Sequence, residues 1–322
     1  VSFFGLIAVR TMLGLAEGLA VPATYALIGR WSVAGDRARL LAIVVSGATL
    51  GAPGGLMISG WLVEHVGWQM AFYSFGSVGL AWAAFWLLRT HGNPDEDPRI
   101  GEEEKDLLAE SRVSREAKVT GPWKRIISHP AIWAVIVAKF CALWTVYVFL
   151  AWLPSYFSAI QGISVAGSGL FAALPWIAMS AMLYVASWRA DGMIRLGRDV
   201  TYGRTLMQSI GLLGSTVFLL LVPFAGSAVM AVTVTCLAMG MLAFCYSGAD
   251  PTVMEVAPKY SGSITGLVGT IGNLPGIIAI PLIGLIVDST GSYSSGFVLA
   301  AAINIVGIVV WLSFGTARKI ID

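Results

Sequence analysis

Charged residues are scarce in this sequence of 322 amino acids. Asp, Glu, Lys and Arg make up 12% of the chain, whereas 57% of it is hydrophobic, and soluble domains usually carry roughly 25% charged residues. A chain of this composition cannot cover its own surface with polar groups, which excludes an ordinary soluble protein. The formal net charge of +2 argues neither for nor against nucleic acid, and we expect no such partner.

Cysteine and histidine are also rare, with three residues of each. Cys141, Cys236 and Cys245 lie in apolar runs without the spacing of a metal site or a disulfide framework, so we expect core thiols, no metal and no cofactor. The histidines lie at the edges of apolar segments, and no Ser/His/Asp or metal-ligand cluster is evident in the sequence. These absences argue against an enzyme.

Long apolar runs dominate what the sequence does contain. A helix needs about 20 apolar residues to cross a bilayer, and nine segments reach that length. They cover residues 3–28, 40–62, 69–88, 131–157, 168–188, 205–225, 228–249, 264–287 and 294–314. None alternates polar and apolar residues as membrane barrels do, so the sequence predicts an all-α polytopic membrane protein.

The basic residues predict the orientation of these helices. Of the 20 Lys and Arg residues, all but Arg10 and Lys139 fall in alternate loops or in the C-terminal tail. By the positive-inside rule those loops and the C-terminus are cytosolic. The apolar run at the N-terminus lacks the basic flank and cleavage site of a signal peptide, and we expect further helices to precede it.

One extended polar stretch, residues 89–129, separates three apolar segments from six. Its interspersed acidic and basic residues are typical of a solvated, partly helical linker. We therefore predict the C-terminal part of an N-terminal bundle in 1–88, a cytosolic linker loop in 89–129, and a six-helix bundle in 130–322. A transporter of six plus six helices that lacks its first three, leaving helices 4 to 12, has this count and this orientation.

Two charges occur in the middle of the first apolar segment. Arg10 and Glu17 are seven residues apart, which places them within about 20° of each other on one helix face. Intramembrane charges normally face a bundle interior or a hydrated cavity. The pair is either an ion pair that only fastens helix packing or an anion-binding guanidinium beside a protonatable carboxylate. In the second case, an anion that takes Arg10 from Glu17 raises the proton affinity of Glu17 and links the two binding events.

Further candidates occur in the C-terminal half of the chain. Lys139 lies about ten residues, roughly 15 Å, from the cytosolic boundary, and its side chain either snorkels outward or lines a transport path. Tyr147 either lines the same path or packs. Asn273 interrupts a Gly-rich apolar run and could hydrogen-bond a carboxylated or polyhydroxylated ligand. In SWRADGMIRLGR, Asp191 and Arg195 resemble the cytosolic gating motif of major facilitators, although Ser187 stands where that motif usually has Gly.

The chain resembles the anion:cation symporter family of the major facilitator superfamily, whose relatives include sialin-type, vesicular glutamate-type and bacterial sugar-acid transporters. Four stretches carry the resemblance: RTMLGLAEGLAVPA (10–23), WQMAFYSFGSVGLAW (68–82), KFCALWTVYVFLAWLPSYF (139–157) and EVAPKYSGSITG (255–266). It implies the major facilitator fold. Some members have a basic residue where this chain has Ala142, and Lys139 replaces a commoner His or Asn, so selectivity is left open.

The resemblance also implies roles for individual residues. Arg10 is expected to contact the substrate anion and Glu17 to take part in proton coupling. Lys139 and Tyr147 on the fourth segment, and Asn273 on the eighth, are expected to line the cavity. Asp191 and Arg195 are expected to act in gating.

These expectations combine into a function. We expect proton-coupled symport of a small organic anion, a carboxylate such as a sugar acid, by alternating access. The alternatives are phosphate or sodium-coupled anion transport and, outside transport, a membrane receptor or scaffold that binds ligand without moving it. The expected partners are the anion, a coupling proton or sodium ion, and the lipid bilayer. We expect a monomer in the plasma (inner) membrane.

Overall fold

A computed structural model describes residues 3–32, 37–113 and 123–320, and within those ranges the chain is helical with no strand. Backbone N–H and C=O groups in hydrocarbon have no water to bond, and a helix satisfies them within one segment. The predicted all-α class is therefore confirmed over the described residues.

The helices are numbered here in chain order. They are α1 (Phe3–Trp31), α2 (Arg37–His65), α3 (Trp68–Arg89), α4 (Glu102–Val113), α5 (Trp123–Ser128), α6 (Pro130–Gln161), α7 (Val165–Arg195), α8 (Val200–Leu221), α9 (Ala228–Leu242), α10 (Cys245–Val256), α11 (Ser261–Gly272), α12 (Pro275–Thr290) and α13 (Ser294–Phe314). Short 3-10 turns occupy Pro94–Glu96, Val222–Phe224 and Pro258–Tyr260.

The predicted membrane spans coincide with these helices. Eight stretches of the described chain are long and apolar enough to cross a bilayer, and α2 covers the ninth predicted span at 40–62. Two spans consist of consecutive helices, α9 with α10 and α11 with α12. The second break falls before Pro275, whose missing N–H cannot continue α11 but suits the first position of a new helix.

By its contacts the chain divides into two units. The first comprises residues 1–48 and 72–119, and the second comprises 49–71 and 120–322. The boundaries predicted from the sequence, after residues 88 and 129, stay a prediction. The second unit contains the six membrane spans that follow the linker, and it holds the most extensive core.

Helix α6 is the centre of the second unit, where it packs against α7, α10, α11, α12 and α13. Its start is capped by the His129 side chain, which accepts a hydrogen bond from the backbone N–H of Ala131, and it ends at Gly162 in a left-handed conformation. Against α13 the packing is close because Gly307 lies on Cys141, leaving no room for a Cβ. Thr145 and Asn304 form a buried hydrogen-bonded pair across the same interface.

The cysteines are core residues in part. Cys141 and Cys245 are buried, as expected, whereas Cys236 is partly exposed. The described residues contain no group of His, Cys, Asp and Glu side chains that could hold a metal ion.

The polar stretch after α3 is organised around one buried carboxylate. Asp97 is 3% exposed, and Arg99 bonds it from Nε at 2.8 Å, from Nη2 at 2.6 Å and from the backbone N–H at 3.0 Å. These hydrogen bonds hold the pKa of Asp97 well below its usual range, and His91 adds a weaker attraction. Arg99 also donates to the backbone carbonyl of Arg89 at the end of α3, so the pair fastens this loop to a membrane helix.

Replacement of Asp97 by Asn should loosen this loop, because the group that accepts the hydrogen bonds from Arg99 loses its negative charge. We expect faster hydrogen–deuterium exchange at residues 97–100, measured by mass spectrometry on the detergent-solubilised protein. A lowered pKa means that the stabilisation is present above the ordinary Asp range and is lost only as the pH falls through the lowered value. The difference between variant and wild type should therefore persist from pH 5 to pH 8. The control is Glu103→Gln on exposed α4; equal exchange in all three proteins would contradict the assignment.

The end of α2 packs tightly on the start of α7 within the second unit. A Cβ on Gly169 would lie 2.6 Å from the carbonyl oxygen of Leu56, and one on Gly60 would lie 3.2 Å from the Cα of Gly169. One turn beyond, past the predicted span, the Glu64 carboxylate accepts a hydrogen bond from the backbone N–H of Ala166 at 2.5 Å. Free N–H groups at a helix N-terminus need such acceptors, and this bond lowers the pKa of Glu64.

Gly169→Ala should push α2 and α7 apart, because its methyl group meets backbone atoms that cannot rotate away. Overpacking of this kind destabilises by about 1–3 kcal/mol. The measurement is the unfolding temperature in detergent, followed by tryptophan fluorescence. Gly55→Ala on α2 is the matched control, since a Cβ there meets nothing within 4 Å. A Gly169→Ala protein as stable as the control would show that the close contact carries no constraint.

Candidate functional site

The two charges predicted on the first segment both lie on α1, in the first unit. Arg10 and Glu17 are exposed, and the Arg10 guanidinium lies 5.5 Å from the ring centroid of Phe72 on α3. Within the described part of the chain, no hydrogen bond or ion pair joins Arg10 to Glu17. The described residues therefore contain no Arg10–Glu17 ion pair that could fasten helix packing.

The second unit holds a different pair of charges inside its bundle. The ammonium of Lys139 on α6 lies 2.9 Å from Oδ1 and 2.7 Å from Oδ2 of Asp250 on α10. The same nitrogen lies 4.7 Å from the ring centroid of Tyr246, a distance suited to a cation–π contact. Only 20% of the Lys139 side chain and 32% of the Asp250 side chain are exposed. The Lys139 side chain therefore bonds across the bundle instead of extending along α6 to the boundary.

Glycines make room for this arrangement. A Cβ on Gly272 at the end of α11 would lie 2.7 Å from Cγ of Lys139, and one on Gly276 would lie 2.9 Å from the ring of Tyr147. Side chains at these two positions would displace the residues that approach from α6. The Gly-rich run around the α11–α12 break therefore lets α6 present its polar side chains closely.

Tyr147 and Asn273, predicted from separate stretches of sequence, meet in the structure. The Tyr147 hydroxyl donates a hydrogen bond to Oδ1 of Asn273 at 3.0 Å. Asn273 in turn donates from Nδ2 to the Gly269 carbonyl at 2.7 Å, so its amide orientation is defined by two bonds. The break between α11 and α12 exposes Asn273, and the residue remains available to a ligand.

A small cavity adjoins the Lys139–Asp250 pair. It is lined by Ala138, Lys139, Ala142, Leu143, Gln208, Cys245, Tyr246, Ala249 and Asp250. About 10 Å³ of it is open to the centre of a water molecule, which is about the minimum for one water. The cavity in this conformation is therefore smaller than a metabolite.

Gln208 on α8 contributes an uncommitted donor to this cavity. Its Oε1 accepts from the backbone N–H of Ala249 at 3.0 Å, while Nε2 is buried without a partner among the described residues. A buried amide N–H normally has an acceptor. The free donor therefore adds to the ammonium of Lys139 as a group that can bond an oxygen of a ligand.

A second ion pair lies near the C-terminal end of α10. Arg204 on α8 bonds Glu255 on α10 from Nε at 2.9 Å and from Nη2 at 2.6 Å, and it also donates to the Ser247 carbonyl at 2.9 Å. Oε2 of Glu255 is buried and has no partner in the described chain. The pair fastens α8 to α10.

The residues predicted for gating are not brought together. Asp191 and Arg195 lie in the last turns of α7 and are exposed, and no hydrogen bond or ion pair between them occurs in the described structure. Their gating role stays a prediction.

Sequence reasoning missed Asp250, Tyr246, Gln208, Arg204 and Glu255. Asp250 follows the predicted span 228–249 directly, and Arg204 precedes the span 205–225 directly, so the predicted bounds leave both residues outside the spans. In the structure α10 extends to Val256 and α8 begins at Val200, which puts both residues inside helices. The sequences around Asp250 and Arg204 are compatible with a helix, and this compatibility could have indicated that the helices extend past the apolar segments.

Apolar helices that surround paired charges define the class, a polytopic α-helical membrane protein. The chain belongs to the Major Facilitator Superfamily, which matches residues 1–280. The recognition of this superfamily from the sequence is confirmed.

Three individual transporters are similar in sequence to nearly the whole chain. The chain is 36% identical over 317 residues to the chloroplastic ascorbate transporter of Arabidopsis thaliana, covering 98% of this chain and 58% of the relative. It is 37% identical to the chloroplastic sodium-dependent phosphate transport protein 1 of the same plant, covering 98% and 62%. Against vesicular glutamate transporter 1 of Xenopus laevis the identity is 30%, covering 99% and 57%. The chain thus spans less than two thirds of the length of these relatives.

Solved structures support the fold. A bacterial homolog of the human lysosomal transporter Spinster, inward-facing and unoccupied, superposes with a TM-score of 0.67 at 14% identity, covering 98% of this chain and 77% of that one. At this identity the likeness shows the fold alone. The predicted major facilitator fold is confirmed.

Arg204→Ala should destabilise the protein, because it leaves the Glu255 carboxylate without a partner. Removal of one member of a fully buried pair costs about 3–5 kcal/mol; since Glu255 is 23% exposed, we expect about 1–3 kcal/mol. Unfolding temperatures in detergent measure the effect. Arg204→Ala combined with Glu255→Ala should recover part of the loss. A double variant less stable than the single one by the full effect of Glu255→Ala would exclude coupling between the two side chains.

Proposed function

We propose that the protein is a secondary active transporter that moves a small organic anion, a carboxylate such as a sugar acid, together with protons by alternating access. The observation that carries this proposal is the Lys139 ammonium held by Asp250 and Tyr246 inside the helical bundle. Ionisable groups at such depth are expensive and normally serve a ligand or ion path. An ammonium group with a displaceable partner is suited to binding an anion.

The polar groups around Lys139 match the oxygen atoms of a carboxylate or sugar acid. Gln208 offers an unpartnered N–H, and Tyr147 and Asn273 present a hydroxyl and an amide. Arg10 and Glu17 supply the second set of charges, with Arg10 as anion contact and Glu17 as proton carrier. Neither is paired with the other among the described residues, so both side chains are free to bind a ligand. Asp191 and Arg195 are proposed to act in gating on the cytosolic side.

The relatives' names support an anionic substrate. They are called anion, ascorbate, phosphate and glutamate transporters, and negative charge is what these molecules have in common. The names differ in substrate, so they leave the anion open. One of them is called sodium-dependent, which favours sodium-coupled phosphate transport as the second candidate.

Location and assembly are part of the proposal. The protein is an integral, multi-pass membrane protein, and we propose the plasma (inner) membrane with a cytosolic C-terminus. Several relatives are named as chloroplastic, which makes an organelle membrane the competing location. We propose that the protein acts as a monomer in the bilayer, and we propose no enzymatic step.

Arg10→Gln should strongly reduce anion uptake, because a charge-assisted bond to the substrate is lost. Such bonds contribute about 1.5–3 kcal/mol, which corresponds to a loss of about 10- to 100-fold. The assay is uptake of radiolabelled gluconate, ascorbate, glutamate and phosphate into proteoliposomes with an alkaline interior, using protein from the complete reading frame. Arg189→Gln is the matched control, since Arg189 is exposed and stacks on Trp188.

Normal uptake by the Arg10→Gln protein would contradict the assignment. The same liposomes separate the two candidates, because proton-coupled uptake follows the pH gradient without sodium. Uptake that needs a sodium gradient and ignores pH would favour sodium-coupled phosphate transport. Ligand binding with no counterflow would favour a receptor.

A further inference from the structure

We infer that Asp250 is a proton-linked carboxylate that competes with the substrate anion for Lys139. This inference rests on the proposed function and adds to it. Coupling through Glu17 was predicted from the sequence. Among Arg10, Glu17, Lys139 and Asp250, however, the structure places a cation and an acid in direct contact only at Lys139 and Asp250. Asp250 is therefore the acid whose partner a bound anion would take.

The geometry makes competition unavoidable at this site. Both oxygens of Asp250 bond the same ammonium, and the Tyr246 ring covers another side of it. An anion that approaches Lys139 must replace one or both carboxylate oxygens. Gln208 can hold the incoming oxygen, because this residue lines the same cavity and its Nε2 has no partner in the described structure.

Charge balance then determines that a proton binds together with the anion. The empty site holds one positive and one negative charge and is neutral. A monovalent anion alone would leave it with a net negative charge in a bundle interior, where an uncompensated charge costs several kcal/mol. One proton on Asp250 makes the loaded site neutral again, since it then contains the Lys139 ammonium, the anion and an uncharged carboxylic acid. Anion and proton therefore enter and leave together.

In the described lining of the cavity, no other charged side chain could bind the anion or the proton in place of this pair. The other titratable side chains beside the pair are Tyr246 and Cys245 on α10 and Cys141 and Tyr147 on α6, all uncharged when protonated. From α8 comes the neutral Gln208. Arg204 and Glu255 are occupied with each other near the C-terminal end of α10. In the described lining of the cavity, Lys139 and Asp250 are thus the charged members.

The experiment counts the protons taken up for each anion bound. Wild-type protein from the complete reading frame, in lipid nanodiscs, is titrated with potassium gluconate by calorimetry in two buffers of different protonation enthalpy. The carboxyl group of gluconate is ionised from pH 6 to 8, so any proton taken up goes to the protein. Asp250→Asn should lower the count by about one, since its amide takes up no proton. Asp250→Glu, which keeps the acid, should retain the count.

Glu255→Gln is the matched control, because it makes the same acid-to-amide change in an ion pair on the same helix. Its proton count should equal that of wild type even where its stability is lower. Should Asp250→Asn fail to fold, Asp250→Gln, whose amide also takes up no proton and which keeps Lys139, is titrated in its place; the count must again fall by about one. An unchanged count in either variant overturns the inference, as does an equal loss in Glu255→Gln.

Glu17→Gln distinguishes this inference from the proposed function. If the proton uptake is lost in Glu17→Gln and retained in Asp250→Asn, the proposed transport stands and the role of Asp250 is refuted. Ascorbate and glutamate are titrated in the same way if gluconate does not bind. Wild-type protein that binds none of the three carboxylates would contradict the proposed function, and the inference would fall with it.

Discussion

A charge inside a bundle of apolar helices must have a partner, and this constraint shapes the second unit of the protein. Lys139 and Asp250 satisfy it together, as do Arg204 and Glu255 nearer the C-terminal end of α10. Both pairs join helices that are distant in sequence. Because each unpaired member would cost several kcal/mol, the pairs specify how α6 and α8 lie against α10.

The two ion pairs differ in what surrounds them. Arg204 has a third bond to the Ser247 carbonyl and is 12% exposed, so it is fully engaged in holding two helices together. Lys139 instead adjoins a cavity with an unpartnered amide. A pair beside free space and a free donor can exchange one partner for a ligand, whereas a pair enclosed by its own bonds cannot do so without a loss of stability.

Small residues let the helices that carry the polar groups of the site pack closely together. Gly272 and Gly276 allow Lys139 and Tyr147 to lie against the α11–α12 break, and Gly248 allows Gln208 to lie against α10. Membrane helices associate without a strong hydrophobic drive, and packing through small side chains supplies the close approach. The glycines are therefore part of the site, although none of them carries a functional group.

Composition and periodicity alone determined the all-α membrane class and the unusual status of Arg10, Glu17 and Lys139, because each follows from the free-energy cost of polar groups in hydrocarbon, which is a local property. The orientation stays a prediction from the basic residues. Tertiary structure decided which charges meet. Asp250 is 111 residues from Lys139, and the sequence placed it at the end of a span instead of inside α10. Partner choice depends on how helices pack, and no periodicity within one segment contains that information.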